Sequence, residues 1–158
     1  MLRSIFEINN KTRKTMKRIL FVLIGLLAIG SISKADDRPI KFEKLPAAAQ
    51  QFVKTNFADN TVVFVTKDDD LIAPDFEVVL DNGTVIQFSN NGQMEKIEAF
   101  RTGVPQNLIP EKIKAYVSAN YPGAAFREYE VDRGKHEVKL SNGLELTFNS
   151  VFTLIEID

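Results

Sequence analysis

Carboxylates are the residues of this chain with the most chemical potential, and they gather in one place. Asp68, Asp69 and Asp70 run consecutively and Asp75 follows shortly after, a set of hard oxygen donors of the kind that holds calcium. Their spacing does not match an EF-hand loop, which needs a glycine at its sixth position, so a solvated acidic loop stands beside a metal site as the simpler reading. Glu77 and Glu137 form a second acidic pair at matching places in two similar stretches. Glycoside hydrolysis would require such a pair to face each other across a cleft, and nothing in the sequence builds one.

The remaining catalytic inventory is short. His136 is the single histidine and there is no cysteine. That excludes a thiol nucleophile, disulfides, a lipid-modified cysteine and the common zinc sites. No Gly-rich phosphate loop and no Gly-x-Ser-x-Gly elbow is present. The sequence therefore predicts a chain that is not an enzyme and needs no cofactor, with His136 as a partly buried structural imidazole.

The elements that position these residues are written twice. Glu77-Val78-Val79-Leu80-Asp81-Asn82-Gly83 is echoed by Glu137-Val138-Lys139-Leu140-Ser141-Asn142-Gly143 at a spacing of 60, and Leu45-Pro46 to Asn56-Phe57 by Ile109-Pro110 to Asn120-Tyr121 at a spacing of 64. The four extra residues of the first copy fall in the acidic stretch 67–71. Each copy opens on a helix after Pro46 or Pro110, where a missing N–H costs nothing. Ala49, Phe52, Val53 and Phe57, and then Ile113, Tyr116, Val117 and Tyr121, keep the spacing of one apolar helical face. The first helix is expected to run out at 58–60, and Pro122-Gly123 stops the second.

Beyond each helix the apolar period changes to two, the mark of strands. Four are expected per copy: 61–66, 75–80, 84–89 and 94–100, then 125–132, 135–140, 144–149 and 153–157. A two-residue turn at Asn-Gly would pair apolar with polar side chains. A loop one residue longer pairs Leu140 with Leu144, Val138 with Leu146 and His136 with Phe148, which requires Gly83 and Gly143 in the left-handed region at a bulge. The fold class predicted is α+β: two tandem helix-plus-four-strand repeats, residues 36–103 and 104–158, with an antiparallel sheet and the helices packed on one face.

The N-terminal 35 residues read as an extension and signal peptide. Basic residues from Lys11 to Arg18 precede an apolar run from Ile19 to Ile29, and Ser33-Lys34-Ala35 supplies a cleavage site after Ala35. About eleven apolar residues fall short of the roughly 20 that span a bilayer, so no stable membrane anchor is expected after cleavage. Met1 and Met16 stand as alternative starts. The segment carries seven basic residues and one acidic, which leaves 13 − 20 = −7 for the remainder. That charge argues against nucleic acid and anionic membranes as partners and for a neutral or basic one.

The duplicated helix-plus-four-strand unit, the signal peptide and the paired strand–Asn-Gly–strand hairpins resemble the PepSY-like secreted proteins of Bacteroidetes, which share the fold of the β-lactamase inhibitor protein. The resemblance covers about residues 40 to 158. It implies a periplasmic or secreted domain whose open sheet face grips a protein, as the inhibitor grips its enzyme and as PepSY segments accompany or restrain peptidases. The chain lacks the inhibitor's cysteines and tryptophans, and β-lactamase inhibition is not carried over.

Function is therefore expected from a non-catalytic binding module, modulating or inhibiting an envelope protein through the exposed sheet face. Its expected contacts are Phe64, Val79, Val85 and Tyr129, with Asp68, Asp69 and Asp70 steering a basic surface. One of Phe126 and Tyr129 must face outward if strict alternation holds. The alternative is a small-ligand or metal-ion binding envelope protein that uses the Asp68–Asp70 loop.

Overall fold

The computed structural model describes residues 37–68 and 75–158. The expected signal peptide, its cleavage site, Asp69 and Asp70 lie outside the described residues. The architecture is α+β: one nine-stranded antiparallel sheet in which the strands stand in chain order, with two helices.

Strands β1 (Asp37–Ile40), β2 (Val62–Asp68), β3 (Phe76–Leu80), β4 (Val85–Phe88) and β5 (Met94–Glu98) make the first part of the sheet, and β6 (Phe126–Asp132), β7 (Lys135–Leu140), β8 (Glu145–Phe148) and β9 (Leu154–Ile157) complete it. Helix α1 (Ala47–Asn56) precedes β2 and helix α2 (Glu111–Asn120) precedes β6. Eight strands match the expected segments, and β1 is the addition. Its four residues, with Pro39 among them, are too few and too polar to show a period, and they form a strand because β2 supplies the partner.

Both helices start directly after their proline. Each ends at an asparagine whose side-chain amide donates back to a carbonyl of its own last turn, Asn56 to Phe52 and Asn120 to Tyr116, both at 2.9 Å. The first helix thus stops two residues before the expected 58–60, because Asn56 closes its last turn.

The hairpin register follows the sequence expectation. Val78 faces Ile86 and Phe76 faces Phe88; Val138 faces Leu146 and His136 faces Phe148. Gly83 and Gly143 have φ of +81° and +91°, a conformation glycine adopts without cost. The apolar sides of the strands meet Ala49, Val53, Ile113 and Val117 of the helices in one core. Phe88 and Phe148 lie at its centre, met edge-on by Phe52 and Tyr116 at ring distances of 5.6 and 5.5 Å.

Two bulges correct the alternation argument for β2 and β6. Pairing with the next strand slips between Val62 and Phe64, and between Phe126 and Glu128. One extra residue resets the side-chain period, so Phe126 and Tyr129 both point into the core, although they differ by an odd number. In β2 the same device turns Val62 and Val65 toward the helices and leaves Phe64 outside.

Candidate functional site

No described helix lies over the second face of the sheet. Two rows of side chains cross it, each built by cross-strand pairing. The first runs Thr66, Glu77, Gln87, Lys96, Glu130, Glu137, Thr147, Glu156, and the second runs Phe64, Val79, Val85, Glu98, Glu128, Lys139, Glu145. The face is therefore divided, with an apolar corner on β2 to β4 and a charged middle on β5 to β7.

At the apolar corner Phe64 is 41% exposed and the neighbouring bulge residue Val63 is exposed as well. Val79 and Val85 are half-buried beside it. Three of the four expected apolar contacts thus come together. Tyr129 does not join them: it is 4% exposed, packs in the core opposite Val138, and its hydroxyl lies 2.9 Å from His136 Nδ1. Burial pushes the Tyr129 phenol up to about 12 and lowers His136 below its ordinary value. His136 also packs against Phe152 at 4.7 Å, the structural role expected for it. Asp68 ends β2 at the strand edge, where its N–H donates to Asp75 O at 2.9 Å, and it lies at a distance in the sheet from the charged middle.

The charged middle centres on Lys96. Its ammonium lies 2.8 Å from Glu98 and 2.9 Å from Glu128, with all three side chains largely shielded from solvent. Burial works against the charged lysine, but the carboxylates of Glu128 and Glu98 outweigh it and hold the group above its ordinary value. Glu98 and Glu128 face each other directly across β5 and β6, so the lysine neutralises a like-charge pair. Beyond it, carboxylate oxygens of Glu128, Glu130 and Glu137 lie within 4.8 Å of one another. Glu137 is only 7% exposed, and the adjoining Thr147 6%.

Sequence reasoning singled out Glu137 only as half of an acid pair with Glu77, and missed Lys96, Glu98, Glu128 and Glu130 as a group. Three strands lie between β3, which carries Glu77, and β7, which carries Glu137, so the two are not neighbours, while β5 and β6 bring together residues some 30 positions apart. Chemically, the middle of the face offers hard oxygen donors and a fixed cation, a surface for polar or charged groups. The chain's single histidine is on the other side of the sheet, in contact with core aromatics.

The PepSY-like family model, described as β-lactamase-inhibitor-like, matches residues 74–156. Among curated proteins nothing matches. A solved structure from Bacteroides vulgatus, described as a periplasmic protein of the DUF2874 family, is 37% identical with a TM-score of 0.75, over 80% of this chain and 99% of its own. One from Bacteroides thetaiotaomicron, described as a calcium-regulated periplasmic protein, is 39% identical with a TM-score of 0.75, over 77% and 96%. A third, from Bacteroides vulgatus and described as a periplasmic protein of unknown function, is 27% identical with a TM-score of 0.73, over 77% and 98%. With more than half its length matched by the family model and close similarity to full-length solved relatives, this chain belongs to the PepSY-like family.

Proposed function

We propose that the chain is an exported, non-catalytic binding module of the cell envelope that holds a protein partner on the open face of its sheet. The observation that carries this reading is the division of that face, where exposed Phe64 with Val79 and Val85 adjoins a shielded Lys96–glutamate cluster. Aromatic and aliphatic anchors beside fixed charges are what a specific interface needs for affinity and orientation. The expected signal segment and the periplasmic description of the relatives support the location. The corresponding bulges of β2 and β6, and the matching ring pairs under α1 and α2, support two tandem units, 36–103 and 104–158.

The test is capture of a partner from the envelope fraction by the purified chain, compared with a Phe64→Ala, Val85→Ala variant. This reading expects loss of capture with little change in melting temperature. Equal capture by the variant would move the interface elsewhere.

A second reading has one observation in its favour. The clustered oxygens of Glu128, Glu130 and Glu137 are hard donors suited to a calcium ion, and a relative is described as calcium-regulated. Asp68 to Asp70 is the other acidic candidate. Calorimetric titration with calcium separates them: loss of binding in Glu137→Gln assigns the sheet cluster, loss only in Asp68→Asn assigns the loop, and no heat in the native chain rejects both.

A further inference from the structure

The last strand is built as a strand with a neighbour still to come. β9 stands against β8 as β5 stands against β4: Gln87 faces Lys96 and Phe88 faces Met94 across a slip in register, and Thr147 faces Glu156 and Phe148 faces Leu154 across the same slip. The outer edge of β5 is filled by β6, with Lys96 opposite Glu130, Ile97 opposite Tyr129 and Glu98 opposite Glu128. Ala99 N–H, on that outer edge, donates to Arg127 O at 2.8 Å.

Among the described residues, the outer edge of β9 ends the sheet. Asp158 and Glu145 exchange both N–H···O bonds at 2.9 Å, so the intervening Ile157 turns its own N–H and C=O away from β8. Ile157 and Ile155 are 50% and 49% exposed, and Val151 nearby is exposed too. An edge of this kind is a template for strand addition.

The charges on the edge choose the occupant. Where β5 reads Lys96, Ile97, Glu98, β9 reads Glu156, Ile157, Asp158. The lysine that neutralises the β5–β6 junction is replaced by an acid. A strand arriving here must therefore bring the cations itself, placed to face Glu156 and Asp158, with an apolar side chain facing Ile157. A second copy of β9 brings no such cation, since residues 151–158 contain neither lysine nor arginine. Two-fold pairing of β9 centred on Glu156 sets Glu156 against Glu156, and pairing centred on Ile157 sets Glu156 against Asp158. We infer that the free edge of β9 accepts an antiparallel strand from a protein partner whose side chains alternate between basic and apolar.

This edge is separate from the open-face contacts, and its test leaves them untouched. The probes are two blocked seven-residue peptides, one alternating valine with lysine and the other valine with glutamate, titrated into the isotopically labelled chain. The lysine peptide should bind about tenfold tighter, since two cross-strand pairs change from repulsive to attractive, and it should protect the Ile157 amide from hydrogen exchange. Glu156→Lys should erase or reverse that preference, while Phe64→Ala should leave it in place. Absence of binding, binding without protection of Ile157, an unchanged preference in Glu156→Lys, or a native chain that dimerises through β9 would each overturn the inference.

Discussion

Replacing Lys96 by methionine keeps an unbranched side chain, one atom shorter, and removes its charge. In the native sheet the ammonium touches Glu98 at 2.8 Å and Glu128 at 2.9 Å, and those carboxylates face each other across β5 and β6. At an effective dielectric of about 20, each contact has a gross attraction of roughly 6 kcal/mol. Desolvation of the three shielded groups cancels most of it. Removing one partner still leaves two facing carboxylates beside Glu130 and Glu137 without their cation. The net loss expected is about 2–4 kcal/mol, at the low end of what breaking a buried pair costs, because these side chains keep some solvent contact. For a domain of this size that is a fall in Tm of about 8–16 °C. Adding Glu128→Gln to the variant removes the facing charge and should restore about 1–2 kcal/mol. Because the folded lysine titrates above its ordinary 10.5, its contribution is complete below that pH and is lost only as the pH rises through the higher folded value. Native chain and variant should thus differ by a constant amount from pH 7 to 10. Urea unfolding followed by circular dichroism measures all of this. A loss below about 0.5 kcal/mol would refute the reasoning and reduce the cluster to ordinary surface charge.

Three further outcomes can be checked by the same unfolding assay. His136 is lowered by burial from an ordinary 6.5, so its neutral form contributes stability that is present above that pH and declines as the pH falls toward the folded value; His136→Phe should remove this acid-side decline. Alanine at Gly92 combines φ of +81° with a Cβ only 2.8 Å from Pro46 Cβ and 3.0 Å from Ala49 N, whereas at Gly143 nothing lies within 4 Å; Gly92→Ala should cost more than about 2 kcal/mol and Gly143→Ala about 1. The Thr84 hydroxyl is buried and has no hydrogen-bond partner among the described residues, so Thr84→Val should be neutral or raise stability by about 1 kcal/mol.

The local parts of this fold were legible in the sequence because they are decided locally. Helix starts follow from Pro46 and Pro110, and hairpin register from the one loop length that puts Val138 beside Leu146 and Val78 beside Ile86. What was hidden depends on pairing over distance. The bulges at Val62–Phe64 and Phe126–Glu128 cannot be seen in a period of two, and they alone take Tyr129 from the expected binding face into the core. β1 exists because β2 offers an edge, not because Asp37–Ile40 has a strand pattern of its own. The Lys96 cluster needs the β5–β6 junction, which the sequence leaves open between two similar units. Val79 and Val85 stand out because each is an apolar residue on the polar side of its strand, a local contradiction that alternation exposes, whereas Phe64 lies in the apolar run 62–65, where alternation leaves its face open until the bulge sets it.

Photo-cross-linking in the living cell tests the central claim most directly. A photoreactive phenylalanine analogue is placed at Phe64 on the open face and, as control, at Lys54 on α1. Binding through the open face predicts a discrete cross-linked partner from position 64 and none from position 54. A partner captured only from position 54, or none from position 64 while the protein remains folded, would contradict it.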